Sequence, residues 1–150
     1  MPETIELQHF LPYRCVTLAE RISTSLSRIY DQQFGVSVAE WRILTVLAEH
    51  ESLQARDIGL KIKMDKVKVS RAVASLTERK LLLRAPSKRD GRASKLRLSA
   101  AGRRLYQEIV PRALEWEKSL VEPLSAREID RLFEVLDTLD RRVALLEQER

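Results

Sequence analysis

A single cysteine, Cys15, is all the thiol this chain carries, so a disulfide framework or a cysteine-rich metal site within one chain is excluded. Its two histidines, His9 and His50, stand too far apart in sequence and without a cluster of further ligands, so we expect no metal and no other cofactor. Four glycines and five prolines in 150 residues leave little room for the turns of an extended all-β architecture. Gly-rich phosphate loops and nucleophile motifs are missing, and nothing here reads as an enzyme. The opening MPETIELQHFLPYRC carries early acids and no apolar run, unlike a signal peptide or a membrane span. We therefore expect a cytoplasmic protein with no membrane partner.

Charge is present in quantity but unevenly placed. The net charge is +5, yet between Lys61 and Arg104 there are 15 Lys and Arg against three acids, Asp65, Glu78 and Asp90. That middle third carries a net +12 and the rest of the chain −7. Such segregation suits a polyanion partner for the middle, with acidic flanks that stay off it. A basic solvated face would give the same totals, so the placement of the charges has to decide.

Residues 7–34 read as mainly helical beyond Pro12, with Val16, Leu18, Ile22, Leu26, Ile29 and Tyr30 at helical spacing, until Gly35 breaks the pattern. Ser37-Val-Ala-Glu40 has the form of a capping box and opens a second helix, EWRILTVLAEH. A short helix follows over 55–62, then a break at 63–65, then a longer helix over 66–80 that Asp65 can cap. LLLRAP and SKLRL read as strands joined by the turn Asp90-Gly91. Ser99 restarts helix, interrupted by Pro111, and a final helix opens with a second capping box, Ser125-Ala-Arg-Glu128. No repeat, low-complexity linker or clean domain boundary appears.

Two helices joined by a tight turn and followed by a hairpin describe a winged helix-turn-helix. The fold class we expect is mainly α with a small β-hairpin wing. If 66–80 is the recognition helix, its buried stripe is Val69, Ala72, Val73 and Leu76, at i, i+3, i+4 and i+7. The exposed N-terminal half is then Lys66, Val67, Lys68, Ser70 and Arg71. Arg can grip guanine with two hydrogen bonds, Val can meet a thymine methyl, and Lys and Ser reach phosphates. The hairpin tip, Lys88, Arg89, Asp90, Gly91 and Arg92, would reach an adjacent groove, where Asp90 can aim the Arg92 guanidinium. On the return strand Leu96 and Leu98 face inward, Lys95 and Arg97 outward.

From Ser37 to about Gly102 the chain resembles the multiple-antibiotic-resistance regulator (MarR) family of bacterial winged-helix transcription factors. SVAEWRILTVLAEH, DKVKVSRAVASLTERKLLLR, the wing RDGRAS with its Asp-x-Arg, and LSAAG carry the resemblance. The flanking helices fit as well. The resemblance implies one MarR-like domain over 1–150, with a DNA-binding core at about 37–98 and dimerisation helices at about 7–34 and 99–150. It implies a homodimer that binds a near-palindromic double-stranded DNA operator, with repression as the default, released by a small-molecule effector. Lys66, Val67, Lys68, Ser70 and Arg71 become groove readers, with Lys88, Arg89, Asp90 and Arg92 on the wing. Two departures from the family pattern stand out: Lys80 where glycine is frequent, and Ser99 where threonine is frequent.

Ile129, Leu132, Leu136, Leu139, Val143 and Leu146 follow a 3-4-3-4-3 spacing that suits a helix–helix seam. The family's effector pocket makes Tyr13, Arg14, Trp41 and Tyr106 lining residues here, with Arg42 or Arg21 as cationic partners for an anionic group; an aromatic carboxylate or its coenzyme A thioester would suit them. The alternative is that Trp41 and Tyr106 are core. Cys15 lies near the reactive cysteine of peroxide-sensing relatives, with Tyr13 and Tyr30 as supports and Arg14 able to lower the thiol pKa, which keeps a redox-sensing regulator open. A non-specific nucleic-acid-coating protein would explain the charge, but not the phasing of the helices or the acid in the wing.

Overall fold

The chain begins with a short 3-10 turn at Leu7–His9 and then helix α1 over Leu11–Phe34. Pro12 sits in the first turn of α1, where its missing N–H costs nothing. Gly35 ends α1 in the left-handed region, φ 62°. The computed structural model describes residues 1–86 and 94–150. Helix α2 (Val38–Glu49) opens with the capping box in both directions: Ser37 Oγ accepts the Glu40 N–H, and Glu40 Oε1 accepts the Ser37 N–H, each at 3.1 Å. Strand β1 (Leu53–Gln54), α3 (Ala55–Ile62), α4 (Lys66–Glu78), β2 (Leu82–Pro86), β3 (Ser94–Leu98), α5 (Ala100–Val121) and α6 (Ala126–Gln148) complete the order.

The chain divides into two compact units, Met1–Ala113 and Leu114–Arg150. The first holds the core. Ile43, Leu44 and Leu47 of α2, Ile58 of α3, Leu76 of α4, Leu96 of β3 and Ile109 of α5 are fully buried, with Tyr30 of α1 beside them. The stripe expected on α4, Val69, Ala72, Val73 and Leu76, is buried as the helical period requires. Leu96 and Leu98 are buried, and Lys95 and Arg97 between and beside them are exposed, the alternation of a strand with one wet face. The second unit is the end of α5 and α6, which Ser125 and Glu128 cap in both directions.

Three features differ from the sequence reading. The wing is one side of a three-stranded antiparallel sheet, order β1-β3-β2, in which Leu53 pairs with Leu96 and Gln54 with Lys95. A two-residue strand carries no period, so no sequence pattern announces β1. Helix α5 is not interrupted at Pro111 but runs through it. Proline removes one backbone hydrogen bond there, and the turns on either side keep theirs. Helix α4 stops at Glu78 rather than Lys80, because Lys80 takes a left-handed conformation, φ 61°, that no right-handed helix can include.

Candidate nucleic-acid interface

The turn between α3 and α4 closes in few residues because Lys63 adopts φ 53° and the Met64 N–H reaches the Gly59 carbonyl at 3.2 Å. Asp65 then caps α4, its Oδ1 accepting the Lys68 N–H at 2.9 Å. With Val69, Val73 and Leu76 anchored in the core, rotation of α4 is fixed, and Lys66, Val67, Lys68, Ser70 and Arg71 all lie exposed on its first two turns. Val67 is 57% exposed. An apolar β-branched side chain gains nothing from water there, and it stands among four groove- or phosphate-seeking polar residues. Beside them, α3, α4 and β2 enclose a cleft of about 640 Å³ with Arg56, Lys66 and Arg84 among its lining and Leu60, Met64 and Val69 as apolar wall.

Strands β2 and β3 pair from Leu82 with Leu98 to Pro86 with Ser94, so the chain leaves and re-enters the sheet at adjacent points. Arg84 donates to Ser94 Oγ at 2.9 Å across this pair. The wing residues Lys88, Arg89, Asp90 and Arg92 lie outside the described residues.

The residues expected to line an effector pocket are divided by the structure. Trp41 stacks between Tyr30 (ring centroids 5.3 Å apart, 17° between planes) and Tyr106 (5.8 Å, 23°), which joins α1, α2 and α5 by one column of rings. Burial raises the Tyr30 phenol pKa, Arg42 opposes the rise, and Asp31 adds to it. Tyr13 and Arg14 are elsewhere: 17 residues of helix separate Tyr13 from Tyr30, about 25 Å along α1. Arg14 donates to the Gln8 carbonyl at 3.2 Å. Within one chain, therefore, Tyr13 and Arg14 do not line one pocket with Trp41 and Tyr106. Cys15 is exposed on α1, and Tyr30, about 22 Å further along the helix, cannot support its thiolate from the same chain.

A polar cluster around the buried carboxylate of Glu40 escaped the sequence reading. Glu40, read there only as a cap, is 7% exposed, and its second oxygen accepts the Ser75 hydroxyl of α4 at 3.2 Å. Arg79 lies 3.7 Å from the same oxygen and donates to the carbonyls of Gly35 at 2.9 Å and Phe34 at 3.0 Å. The i, i+4 spacing of Ser75 and Arg79 was the available signal, and it has meaning only once α2 is known to lie alongside.

A cluster of exposed basic residues on a fixed helix beside a paired wing is the geometry of a DNA reading head. A model described as the MarR family matches residues 34–93. No curated protein sequence matches the chain. Among solved structures, a MarR/EmrR family transcriptional regulator from Acinetobacter sp. ADP1 is 30% identical, with 94% of this chain and 99% of that one covered and a TM-score of 0.86. S. aureus MepR, solved as a DNA complex, is 20% identical over 91% of this chain and 98% of its own, with a TM-score of 0.80. NadR in complex with 4-hydroxyphenylacetate is 24% identical over 93% and 97%, with a TM-score of 0.77. MepR and NadR share the fold; the Acinetobacter regulator shares fold and family over nearly the whole length of both chains. This chain belongs to the MarR family of transcriptional regulators.

Proposed function

We propose that the protein acts as a homodimeric, sequence-specific repressor of a near-palindromic operator, released by a small aromatic or acyl-thioester ligand. The observation that carries the DNA reading is the exposed row Lys66, Val67, Lys68, Ser70 and Arg71 on a helix whose opposite face is locked in the core. Arg71 reads a base edge, Val67 meets a methyl group, and Lys66, Lys68 and Ser70 hold phosphates. On the wing, Lys88, Arg89 and Arg92 enter a neighbouring groove, with Asp90 orienting Arg92.

Dimerisation is supported by apolar side chains left in water by a single chain. Leu11, Val16 and Leu18 of α1 are more than half exposed, and so is Val143 of α6, with Leu132, Leu136 and Leu146 not far behind. Two such helices per protomer supply the larger apolar area that a permanent dimer buries. The effector reading draws on NadR, which binds an aromatic carboxylate, and on the column Tyr30–Trp41–Tyr106 with Arg42 beside it. In this reading Trp41, Arg42 and Tyr106 touch the ligand, and Tyr13 and Arg14 do so only from the partner subunit.

Selection from a random duplex pool at about 150 mM salt, where non-specific phosphate binding is weak, tests the function. An inverted repeat with half-sites about one helical turn apart is expected. A pool with no enriched sequence would leave a non-specific coating protein in its place. The exposure of Cys15 favours a second reading, regulation by thiol oxidation; peroxide that leaves operator affinity unchanged removes it.

A further inference from the structure

The Glu40–Ser75–Arg79 cluster sits where three helices meet. The Glu40 side chain, 9% exposed, lies at the N-terminus of α2, accepts hydrogen bonds from the Ser37 N–H and the Ser75 hydroxyl, and has the Arg79 guanidinium 3.7 Å away as an ion-pair partner. Arg79 follows the last residue of α4, and its two terminal nitrogens bridge the carbonyls of Phe34 and Gly35 at the end of α1. Those carbonyls belong to the C-terminal end of a helix, where unpaired acceptors and partial negative charge collect. A planar guanidinium can span two successive carbonyls and face a carboxylate at once, which a lysine ammonium on a flexible stem does not reproduce. On the other side of the same corner, Arg112 of α5 lies 5.4 Å from the centre of the Phe34 ring.

Ser75 and Arg79 are one turn apart on one face of α4, so together they fix both the position and the roll of its C-terminal half. Nothing in this cluster reaches the DNA-facing residues directly. Arg71 is eight residues before Arg79, about 12 Å along the helix. On that lever a swing of about 10° moves Arg71 by about 2 Å, enough to break a hydrogen bond to a base edge.

We propose that Arg79, with Ser75 and the buried carboxylate of Glu40, is a positioning residue for DNA reading: it sets the angle at which α4 presents Arg71 from the corner between α1 and α2. The inference rests on α4 being the reading helix. Because both terminal nitrogens of Arg79 are committed to protein carbonyls, it acts without touching a phosphate.

The experiment measures binding of the full-length protein to its selected operator and to a scrambled duplex of equal length, across a salt series, alongside thermal unfolding. The variants are Arg79→Ala, Arg79→Lys, Ser75→Ala and Arg71→Ala. Arg79→Ala is expected to lower the preference for operator over scrambled duplex about tenfold. Its scrambled-duplex affinity and salt slope stay at the parent's values. Arg79→Lys recovers only part of the preference, and Ser75→Ala loses about threefold.

A lower melting temperature with the preference intact would make Arg79 merely structural and overturn the proposal. So would a salt slope reduced by about one ion, which marks a direct phosphate contact. If Arg79→Ala does not fold, Ser75→Ala and Arg79→Lys decide, and an unchanged preference in both overturns it. Arg71→Ala separates the two levels: if its preference equals the parent's, α4 is not the reader and the underlying reading fails. If Arg71→Ala loses preference and the Arg79 variants do not, only the positioning role falls.

Discussion

Ser99 donates its hydroxyl to the carbonyl oxygen of Lys80 at 2.7 Å, and the same Oγ accepts the Gly102 N–H at 3.0 Å. One small side chain thus closes the end of α4 and starts α5. The first turn of α5 lies so close to the link between α4 and β2 that a Cβ on Gly102 would collide with the carbonyl oxygen of Leu81, which already accepts the Ser99 N–H at 3.0 Å. Threonine, frequent at this position in the family, offers the same hydroxyl.

Lys80 turns the chain into this joint with φ 61°, a conformation that costs a side-chain-bearing residue about 1 kcal/mol or more. Lys80→Gly removes that strain. Urea unfolding is expected to show a gain of about 1 kcal/mol, offset in part by the greater freedom of glycine in the unfolded chain. A midpoint at or below the parent's would mean that the lysine side chain contributes more than its backbone loses.

Local signals in the sequence made most of the fold legible. The capping boxes at Ser37 and Ser125, the cap at Asp65 and the period of Val69, Ala72, Val73 and Leu76 each depend on residues within seven positions. The same period assigned the exposed face of α4. What it could not give was long-range: the pairing of Leu53 with Leu96, the column of Tyr30, Trp41 and Tyr106, and the hydrogen bond from Ser75 to Glu40 across 35 positions. The length of α1 is equally non-local in its effect: it carries Tyr13 and Arg14 away from Trp41 within one chain, a separation that family position alone does not give.

Tyr30 gives the protein an alkaline limit. Burial raises its folded-state pKa above the usual value of about 10, so the folded chain holds the phenol proton more tightly than the unfolded chain does. The stability this contributes is complete below about pH 10 and is lost as pH rises through the folded value. Stability measured from pH 8 to 11 is expected to fall at the upper end, with a shallower fall in Tyr30→Phe, which keeps the ring against Trp41. Equal slopes for the two proteins would assign the alkaline loss to other groups.

Arg71 and Arg92 are expected to separate reading from gripping. Arg71→Ala should cost about 1–3 kcal/mol on the operator and relax the preference at one base position. Arg92→Ala, on the wing, should weaken binding across sequences and flatten the salt slope by about one ion. Selection repeated with each variant checks both: a conserved consensus for Arg71→Ala, or an altered one for Arg92→Ala, would reverse the assigned roles.

The apolar side chains of α6 carry the last test. No residue of this helix is buried in the single chain, whereas the core of the first unit is complete by Ile109. Charges placed on α6 therefore fall on side chains that the single chain leaves in water, the ones the proposed dimer would bury. In a two-fold dimer each substitution counts twice, so Leu136→Glu with Val143→Glu removes four apolar contacts. At about 1.5 kcal/mol each, the loss is about 6 kcal/mol, or about four powers of ten in the dimer dissociation constant. Sedimentation at micromolar concentration should show the parent at twice the chain mass and the double variant at the chain mass, with the operator preference lost as the two reading heads separate. A double variant that still sediments at the parent's mass would place the dimer interface elsewhere and leave the apolar face of α6 without its assigned role.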